Sequence, residues 1–227
     1  MTMKKMWVWM LLTLFALVGE WHGTCYGFLE EERIGLLEIK SSFDPNGFTL
    51  RDWVDTSNES ISNCCEWARI ECDNTTRRVI QLNLWDVRDV SLGDLVLNAS
   101  LFLPFKELRS LDLSNNAIVG CHEIQGVKVL SSRLTKLENL DLSGNPYNDS
   151  IFSSLTGFTS LKSLDLSYNE LTGSSVGLIG LRKLEVLSLN ELTIIGSTLL
   201  QSLGALPSLK ILSLKDNNLS STSISQG

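Results

Sequence analysis

The sequence has little histidine and lacks the common short catalytic motifs. Two histidines, His22 and His122, occur among 227 residues. Cys121 next to His122 is the sole adjacent thiol and imidazole, and neighbouring side chains rarely face each other productively as nucleophile and base. A phosphate-binding loop, HExxH and CxxC are all missing. We therefore expect a non-enzymatic protein with no cofactor and no metal site.

Positive charge is in deficit, and long apolar runs are missing beyond the N-terminus. The chain has 19 Lys and Arg against 26 Asp and Glu, a formal net charge of −7. An acidic protein is a poor partner for nucleic acid or an anionic membrane. After Gly19 no apolar run reaches the roughly 20 residues that a membrane-spanning helix needs. We expect neither a nucleic-acid partner nor a membrane span in the mature chain.

The N-terminal segment has the pattern of a secretion signal. Lys4 and Lys5 precede an uncharged, mostly apolar run from Met6 to Gly19. A basic segment followed by an apolar core that is too short to span a bilayer is typical of a signal peptide. We expect residues 1–27 to form this signal, with an uncleaved anchor as the alternative.

Five glycosylation sequons and the clustered cysteines agree with export. The sequons read Asn-x-Ser/Thr without proline and begin at Asn58, Asn74, Asn98, Asn148 and Asn218. The stretch NCCEWARIEC, from Asn63 to Cys72, has the form of a metal knuckle, a redox centre or a disulfide staple. Because disulfides form and persist in oxidising compartments, export favours the staple.

A repeat of the form LxxLxLxxN fills most of the remaining sequence. Units begin at Leu108, Leu137, Leu161, Leu184 and Leu209, and VIQLNLWDV from Val79 fits the same frame with valine at the asparagine position. The spacings between successive middle leucines are 29, 29, 24, 23 and 25 residues, for Leu82, Leu111, Leu140, Leu164, Leu187 and Leu212. A repeat of this length predicts a solenoid of stacked units.

The alternation within each unit predicts a parallel sheet. The two leucines of LxL point to one side of a short strand, and the residue between them points to the other. Strands stacked about 4.8 Å apart then share one leucine core. An asparagine side chain has both a donor and an acceptor for the exposed backbone of the turn. The sequence therefore predicts a ladder, interrupted at Val87 and Leu192, of Asn116, Asn145, Asn169 and Asn217.

The first two units are longer than the others and must place their extra residues elsewhere. We expect these residues, Leu92–Leu103 and Gly120–Leu130, on the side away from the sheet or on a rim. Irregular packing and a functional insertion are both compatible with them.

An amphipathic helix is predicted to cap the first repeat, since a stacked repeat exposes its apolar core at both ends. In Phe28–Phe43 the residues Leu29, Leu36 and Ile39 share one face at helical spacing, and acidic residues occupy the first turn. Trp53 and Trp67 supply broad apolar faces for the same cap.

These motifs together resemble the plant leucine-rich-repeat receptor-like proteins and receptor kinases, whose cap is shared by secreted polygalacturonase-inhibiting proteins. The residues concerned are the helix motif from Glu32 to Lys40, the CCxWxxxxC of Cys64–Cys72 and the LxxLxLxxN repeats. The segments from Leu97 to Gly120 and from Leu137 to Gly173 are especially similar to receptor-like proteins. The repeats here lack the family's LxGxIP continuation.

The resemblance implies an α/β leucine-rich-repeat solenoid, with a curved parallel sheet on its concave face and a helical, disulfide-stapled N-terminal cap. It also implies an ectodomain that binds a peptide, glycan or protein ligand in defence or development, at the extracellular face of the plasma membrane or secreted, with a co-receptor kinase as partner of the full-length protein. The alternatives are a soluble inhibitor of a microbial wall-degrading enzyme and a truncated receptor product.

The cysteine pairing implied by the resemblance is Cys25 with Cys64 and Cys65 with Cys72, which leaves Cys121 free. Relatives of this kind carry a cysteine directly before the acidic helix, where this chain has Phe28. Cys25 takes that role only if signal cleavage leaves it in the mature protein.

The concave face of the predicted sheet contains the candidate ligand-binding residues. Exposed aromatic residues are enriched at binding hot spots, so Trp85 and Tyr168 are the leading candidates. The other candidates are Asp86, Asn115, Asn190, Glu191, Lys215 and Asp216. A column of Asp112, Asp141 and Asp165 between the strand leucines is interpreted as a solvated polar face, with a metal or acid–base column as the alternative.

The predicted organisation has three parts: a signal peptide over 1–27, a cap over 28–78 and about six repeats over 79–227. The leucines of the last coil are expected to lie uncovered in this chain, because a solenoid end without a cap exposes them.

Overall fold

The computed structural model describes residues 30–54, 63–121, 126–173, 178, 180–192 and 197–217. The predicted signal peptide lies outside these residues. Helices run over α1 (Glu30–Phe43), α2 (Gly126–Arg133), α3 (Ile151–Leu155) and α4 (Ser197–Gly204). Strands run over β1 (Ile70–Cys72), β2 (Val79–Asn83), β3 (Leu95–Leu97), β4 (Ser110–Asp112), β5 (Ile118–Cys121), β6 (Asn139–Asp141), β7 (Ser163–Asp165), β8 (Val186–Ser188) and β9 (Ile211–Ser213).

The main sheet contains one strand from each predicted repeat. Its order within the described residues is β1-β2-β4-β6-β7-β8-β9, parallel throughout except for the antiparallel β1–β2 pair. The middle leucines pair in register from Leu82 to Leu212. Those of the other repeat strands, β2, β4, β6, β7 and β8, are buried, whereas Leu212 is 39% exposed on β9, the last strand described. The predicted leucine-rich-repeat solenoid is confirmed.

The asparagine ladder forms as predicted and connects neighbouring turns. Asn145 Nδ2 donates to Leu113 O of the preceding coil and to Leu142 O and Ser143 O of its own coil, each at 3.1 Å. Its Oδ1 accepts from the backbone of the preceding turn, at Asn116 N (3.1 Å) and Ile118 N (3.0 Å). Because both ends of the amide are used, one side chain satisfies backbone groups of two coils.

The turns at Val87 and Leu192 were predicted to be held differently, and they keep half of the arrangement. Val87 N donates to Asn116 Oδ1 (3.1 Å), and Leu192 N donates to Asn217 Oδ1 (2.7 Å). These turns therefore receive the bond from the following asparagine. Valine and leucine have no side-chain amide, so these two turns lack the hydrogen bond that an asparagine Nδ2 donates to the preceding coil.

The extra residues of the long units build a second, smaller sheet and short helices. β3 pairs in parallel with β5 to form a two-stranded sheet, and the 3₁₀ helix Ala99–Phe102 contacts both α1 and α2. Leu95, Leu97 and Ile118 are buried in the common core. The insertions thus extend the packing away from the main sheet.

The cap helix begins at Glu30 within the described residues and buries the predicted face from Leu36 onward; Leu29 of that face lies outside them. Leu36, Ile39 and Phe43 are fully buried, and Asp44 ends the helix. Both Asp44 carboxylate oxygens accept bonds from the following loop, at Phe48 N (2.9 Å) and Leu50 N (2.7 Å).

The cap tryptophans and one of the two expected disulfides are confirmed. Trp53 and Trp67 stack with ring centroids 5.8 Å apart, and both rings are buried. Cys65 and Cys72 form the disulfide that fastens the 3₁₀ turn Cys64–Glu66 to β1. The sequence NCCEWARIEC is therefore a staple beside an aromatic core.

Cys64 is fully buried and has no disulfide partner among the described residues. Its expected partner is Cys25, so the Cys25–Cys64 bond stays a prediction. Cys25 lies outside the described residues. Burial and the nearby charge of Glu32 raise the pKa of Cys64 to about 12. Since the thiolate is the reactive form, this thiol is a weak nucleophile at neutral pH.

A buried ion pair fastens the cap helix to the first repeat. Glu32 is fully buried; its Oε1 accepts from Arg78 Nε at 2.8 Å and its Oε2 from Val79 N at 3.2 Å. Burial raises the pKa of Glu32, and the bonds from Arg78 and Val79 oppose that effect. The carboxylate depends on these partners to remain charged inside the protein.

Asn145→Ala is expected to lower the free energy of unfolding by on the order of 2–4 kcal/mol, because it leaves buried backbone groups of two coils without a partner. The control is Asn139→Ala, whose side chain is exposed on β6. It should change stability by less than about 0.5 kcal/mol. Chemical denaturation followed by circular dichroism measures both. Equal losses in the two variants would contradict the role of the ladder.

Arg78→Ala should cost about 3 kcal/mol of unfolding free energy, since it leaves Glu32 buried without its cation. Lys210→Ala removes an exposed partner of Glu185 and should cost less than about 1 kcal/mol. The same denaturation measurement compares them. A loss in Arg78→Ala no larger than that in Lys210→Ala would show that Glu32 does not need the pair.

Candidate functional site

The concave face of the main sheet carries an open groove of about 280 Å³. The side chains lining it come from β4, β6, β7 and β8, at the positions between and beside the strand leucines. Since the leucines point into the core, these alternate residues point outward. Serine, asparagine and aspartate supply most of the lining, so the groove presents mainly hydrogen-bonding oxygens.

Three aspartates lie side by side in this groove and hold the turns that follow their strands. Asp112 Oδ1 accepts from Ser114 N (3.0 Å) and Oγ (2.6 Å). Asp141 Oδ1 accepts from Ser143 in the same way, at 2.9 and 2.6 Å. Each of these bonds ends on Oδ1. The carboxyls are half-buried on this open face, and Asp165 holds its turn as the other two do. The interpretation of the column as a solvated polar face stays a prediction.

The same turn also forms around a neutral side chain. In β2 the corresponding residue is Asn83, whose Oδ1 accepts from Trp85 N at 3.0 Å. An amide oxygen accepts this bond as a carboxylate does. The turn therefore forms without a negative charge at this position.

The three carboxyls affect one another electrostatically. Asp112 pairs in register with Asp141, and Asp141 with Asp165. Burial raises the pKa of Asp141 above its usual range, and the charges of Asp112 and Asp165 raise it further, against the lowering effect of the bonds from Ser143. Like charges on facing strand positions are destabilising.

Of the two aromatic candidates, Trp85 lies on the β2 coil beside the groove and Tyr168 lies on the β7 coil, which forms part of it. Trp85 is 50% exposed and Tyr168 is 63% exposed. Two hydrogen bonds hold the turn that carries the Trp85 indole. Arg69, just before β1, donates from Nη1 to Trp85 O at 2.6 Å, and Trp85 N donates to Asn83 Oδ1. Three strand spacings separate the coil of Trp85 from the coil of Tyr168, a distance of about 14 Å.

Tyr168 belongs to a column of residues in the left-handed conformation, one from each turn. The others are Asp86, Asn115, Gly144, Glu191 and Asp216. A Cβ at Gly144 would overlap the amide end of the exposed Asn115 side chain, which would have to shift. Bulky residues rarely adopt a positive φ, so the exposed ring of Tyr168 is held at some local cost.

Comparisons with known proteins identify both the cap and the repeats. A leucine rich repeat N-terminal domain matches residues 29–73, and leucine rich repeat models match 136–158 and 159–180. Receptor like protein 21 of Arabidopsis thaliana is 38% identical over 95% of this chain and 22% of its own length. Cuscuta receptor 1 of Solanum lycopersicum is 36% identical over 94% of this chain and 20% of its own length.

A solved structure agrees with these sequence matches. The ectodomain of the receptor kinase GASSHO1/SCHENGEN3 from Arabidopsis thaliana superimposes with a TM-score of 0.58 at 32% identity, covering 82% of this chain and 21% of that one. This chain belongs to the plant leucine-rich-repeat receptor-like proteins. It spans about a fifth of the length of the relatives named.

In this receptor-like protein the predicted site residues have different surroundings. Trp85, Asp86, Asn115 and Tyr168 are exposed on the coils that flank or form the groove. Glu191, Lys215 and Asp216 are exposed towards the other end of the sheet. Asn190 is half-buried, and its Oδ1 accepts from Ser213 Oγ (2.7 Å) and Lys215 N (2.8 Å). The supporting role of Arg69 was not foreseen, because Arg69 precedes the repeats and belongs to none of their patterns.

Three predicted glycosylation sites can be placed. Asn74, Asn98 and Asn148 are exposed, whereas Asn58 and Asn218 lie outside the described residues. The Oδ1 of Asn98 accepts from Ser100 N, and that of Asn148 from Ser150 N. These bonds use the oxygen of each amide, and Nδ2 is the atom that a glycan modifies. Glycosylation at these positions remains a prediction.

Among the residues that the structure describes, no group of three or more histidine, cysteine or acidic residues has a geometry suited to a metal ion. None of the helices described is long and apolar enough to cross a membrane.

Asp141→Asn is expected to become more stabilising as the pH rises. The pKa of Asp141 is about 3.9 in the unfolded chain and higher in the folded protein. The wild type therefore loses stability through Asp141 as the pH rises from the unfolded pKa through the folded one. At pH 7 the variant should be about 0.2–1 kcal/mol more stable. Denaturation at acidic and neutral pH, with the exposed Asp94→Asn as control, measures this. A wild type more stable than the variant at pH 7 would contradict it.

Proposed function

We propose that this chain is an extracellular ligand-recognition module of a receptor-like protein, which binds its ligand on the concave face in defence or developmental signalling. The observation that carries the proposal is the open groove on β4, β6, β7 and β8, with exposed Trp85 on the coil beside it and exposed Tyr168 on the β7 coil. Large aromatic side chains that remain exposed on a rigid sheet gain most from contact with a partner.

The relatives support recognition as the activity. One is named a receptor, and the GASSHO1/SCHENGEN3 ectodomain was solved in complex with CASPARIAN STRIP INTEGRITY FACTOR 2. Similarity of fold alone does not identify a ligand, because recognition depends on the side chains presented by the scaffold. The side chains proposed for ligand contact are Trp85, Asp86, Asn115, Tyr168, Asn190, Glu191, Lys215 and Asp216.

The proposal extends to location and partners. Export through the predicted signal peptide, residues 1–27, would deliver the module to the extracellular face of the plasma membrane or to the extracellular space. On binding its ligand, the full-length protein would then associate with a co-receptor kinase. No reaction is assigned to the chain, because the polar residues of the groove serve as turn acceptors and hydrogen-bonding groups.

The double variant Trp85→Ala/Tyr168→Ala should lose ligand binding. The immobilised 227-residue chain is exposed to a randomised peptide pool and, separately, to an array of plant and microbial wall glycans. Wild type is expected to retain its best ligands about ten-fold or more better than the double variant, since exposed aromatics act as hot spots.

Phe48→Ala is the matched control, because Phe48 is 64% exposed on the cap and lies away from the repeats. This control should bind as wild type does. The proposal fails if wild type retains neither class of ligand better than the double variant. A third incubation, with secreted microbial wall hydrolases, tests the alternative: their preferential capture would instead identify the soluble inhibitor function.

A further inference from the structure

A row of charged residues runs along the edge of the main sheet where the repeat strands begin. Each member directly precedes a strand, and each after the first donates from its backbone N to the backbone O of the member before it, at 2.7–2.8 Å. The row therefore places one side chain per coil, at a spacing of about 4.8 Å. Its members alternate in charge and are Arg109, Glu138, Lys162, Glu185 and Lys210.

The turns that precede this row add further positive charge. Lys106, Lys136, Arg182 and Lys183 lie in these described turns, with Glu107 as their one acid. The row and these turn residues together form the basic edge. It has seven cations and three acids, in a chain whose formal net charge is −7. The charge of the protein is therefore unevenly distributed.

Acidic neighbours oppose only part of the positive charge. Five of the seven cations have an acid nearby, in the pairs Lys106–Glu31, Arg109–Asp73, Lys136–Glu107, Lys162–Glu138 and Lys210–Glu185. Arg182 and Lys183 are exposed, and neither has an ion pair among the described residues. The reason is local, because the corresponding turns of the two neighbouring coils are Thr159–Ser160 and Pro207–Ser208. The positive charge of the β8 turn is left unbalanced.

The paired lysines also remain available to another anion. Lys136, Lys162 and Lys210 are each about half exposed or more in their ion pairs. Exposed pairs of this kind contribute about 0–1 kcal/mol, so a lysine can exchange its carboxylate partner at little cost. The basic edge thus presents one cation on each of five successive coils, with the excess charge at Arg182 and Lys183.

The basic edge lacks the apolar centre that is typical of a protein interface. Within the described residues, none of the large apolar side chains that are exposed belongs to this row or its turns. Protein partners bury aromatic and aliphatic side chains at the centre of their contact. The uncharged residues here are instead hydroxyl-bearing, with Thr135 and Thr159 exposed and Ser160 half-buried. Hydroxyls donate to and accept from polar ligands, so the edge suits a hydrophilic anion better than a protein surface.

We propose that the basic edge binds a linear acidic polysaccharide, with one sugar carboxylate at Arg182 and Lys183 and others along the row. Guanidinium and ammonium groups form charge-assisted hydrogen bonds to carboxylates. A polyuronic acid carries one carboxylate per sugar, and a sugar ring is about as long as one strand spacing, so its charges can follow the coils. This surface is separate from the groove and the aromatic residues of the proposed function. The polymer would hold the module and leave the concave face open.

The test compares an oligogalacturonate with its methyl ester, which has the same sugar backbone without the charge. The immobilised 227-residue chain is titrated with each, and binding is followed by surface plasmon resonance. Wild type should bind the acid about ten-fold or more better than the ester. Raising the salt concentration should weaken binding of the acid. Polyglutamate of equal charge represents an acidic protein and should bind more weakly than the oligogalacturonate.

Arg182→Gln/Lys183→Gln should weaken binding of the oligogalacturonate about ten-fold. Both side chains are exposed without an ion pair, so the fold should persist, and circular dichroism checks it. The control is Arg51→Glu, which changes the net charge by the same amount at an exposed position on the cap. This control should bind the oligomer as wild type does. Trp85→Ala/Tyr168→Ala should also keep this binding, because it alters the concave face alone.

Three results would overturn this inference. The first is equal binding of the acid and the ester by wild type, and the second is an equal loss in the edge variant and in Arg51→Glu. The third is polyglutamate binding as tightly as the oligogalacturonate, which would identify a general anion or an acidic protein as the partner. Loss of oligogalacturonate binding in Trp85→Ala/Tyr168→Ala alone would move the sugar to the concave face, so the basic edge would fail while the proposed function stood.

Discussion

The rest of the structure depends on the hydrogen bonds that asparagine side chains make between one turn and the next. A coil of about 24 residues cannot bury its own leucines, and its turn exposes backbone groups on leaving the strand. Asn116, Asn145 and Asn169 satisfy those groups in their own coil and in the coil before. Stacking the leucines and satisfying the turns are therefore a single requirement, met by one geometry repeated along the chain.

The groove follows from that geometry. Once the leucines face inward at a fixed spacing, the residues between them form rows across the concave face, one side chain per coil. Side chains in such rows lie within reach of one another although they are 23 to 29 residues apart in sequence. Row position, and not sequence proximity, decides which residues act together. The aspartate row and the left-handed column of turn residues are two examples.

Much of the fold could be predicted from the sequence, because the repeat fixes both the strand positions and their register. The cap helix, the stacked tryptophans and the Cys65–Cys72 staple follow from local pattern and resemblance. The pairing of Cys64 could not be settled from the sequence, because Cys25 is present in the mature protein only if signal cleavage leaves it there. The parallel β3–β5 sheet was not foreseen either, because its strands lie in irregular insertions without the repeat.

The candidate site was predictable in position but less so in chemistry. Alternation identified Trp85 and Tyr168 as outward-facing, and they are exposed. Alternation did not show that the amide oxygen of Asn190 accepts a hydrogen bond from the neighbouring coil, or that the aspartates accept hydrogen bonds from the turns after their strands. Those roles depend on backbone donors that the sequence pattern does not reveal. Side-chain direction follows from periodicity, whereas hydrogen-bond partners follow from three-dimensional packing.

The interchangeability of asparagine and aspartate at the end of each strand has an evolutionary consequence. Asn83 and Asp112 hold equivalent turns on neighbouring coils, and the two side chains differ only in an amide nitrogen in place of a carboxylate oxygen. A single substitution can therefore add or remove one unit of charge on the concave surface while the coil beneath keeps its shape. Proteins built on this repeat can change the charge pattern that a ligand meets one coil at a time, and can thus acquire new specificities without first losing the scaffold.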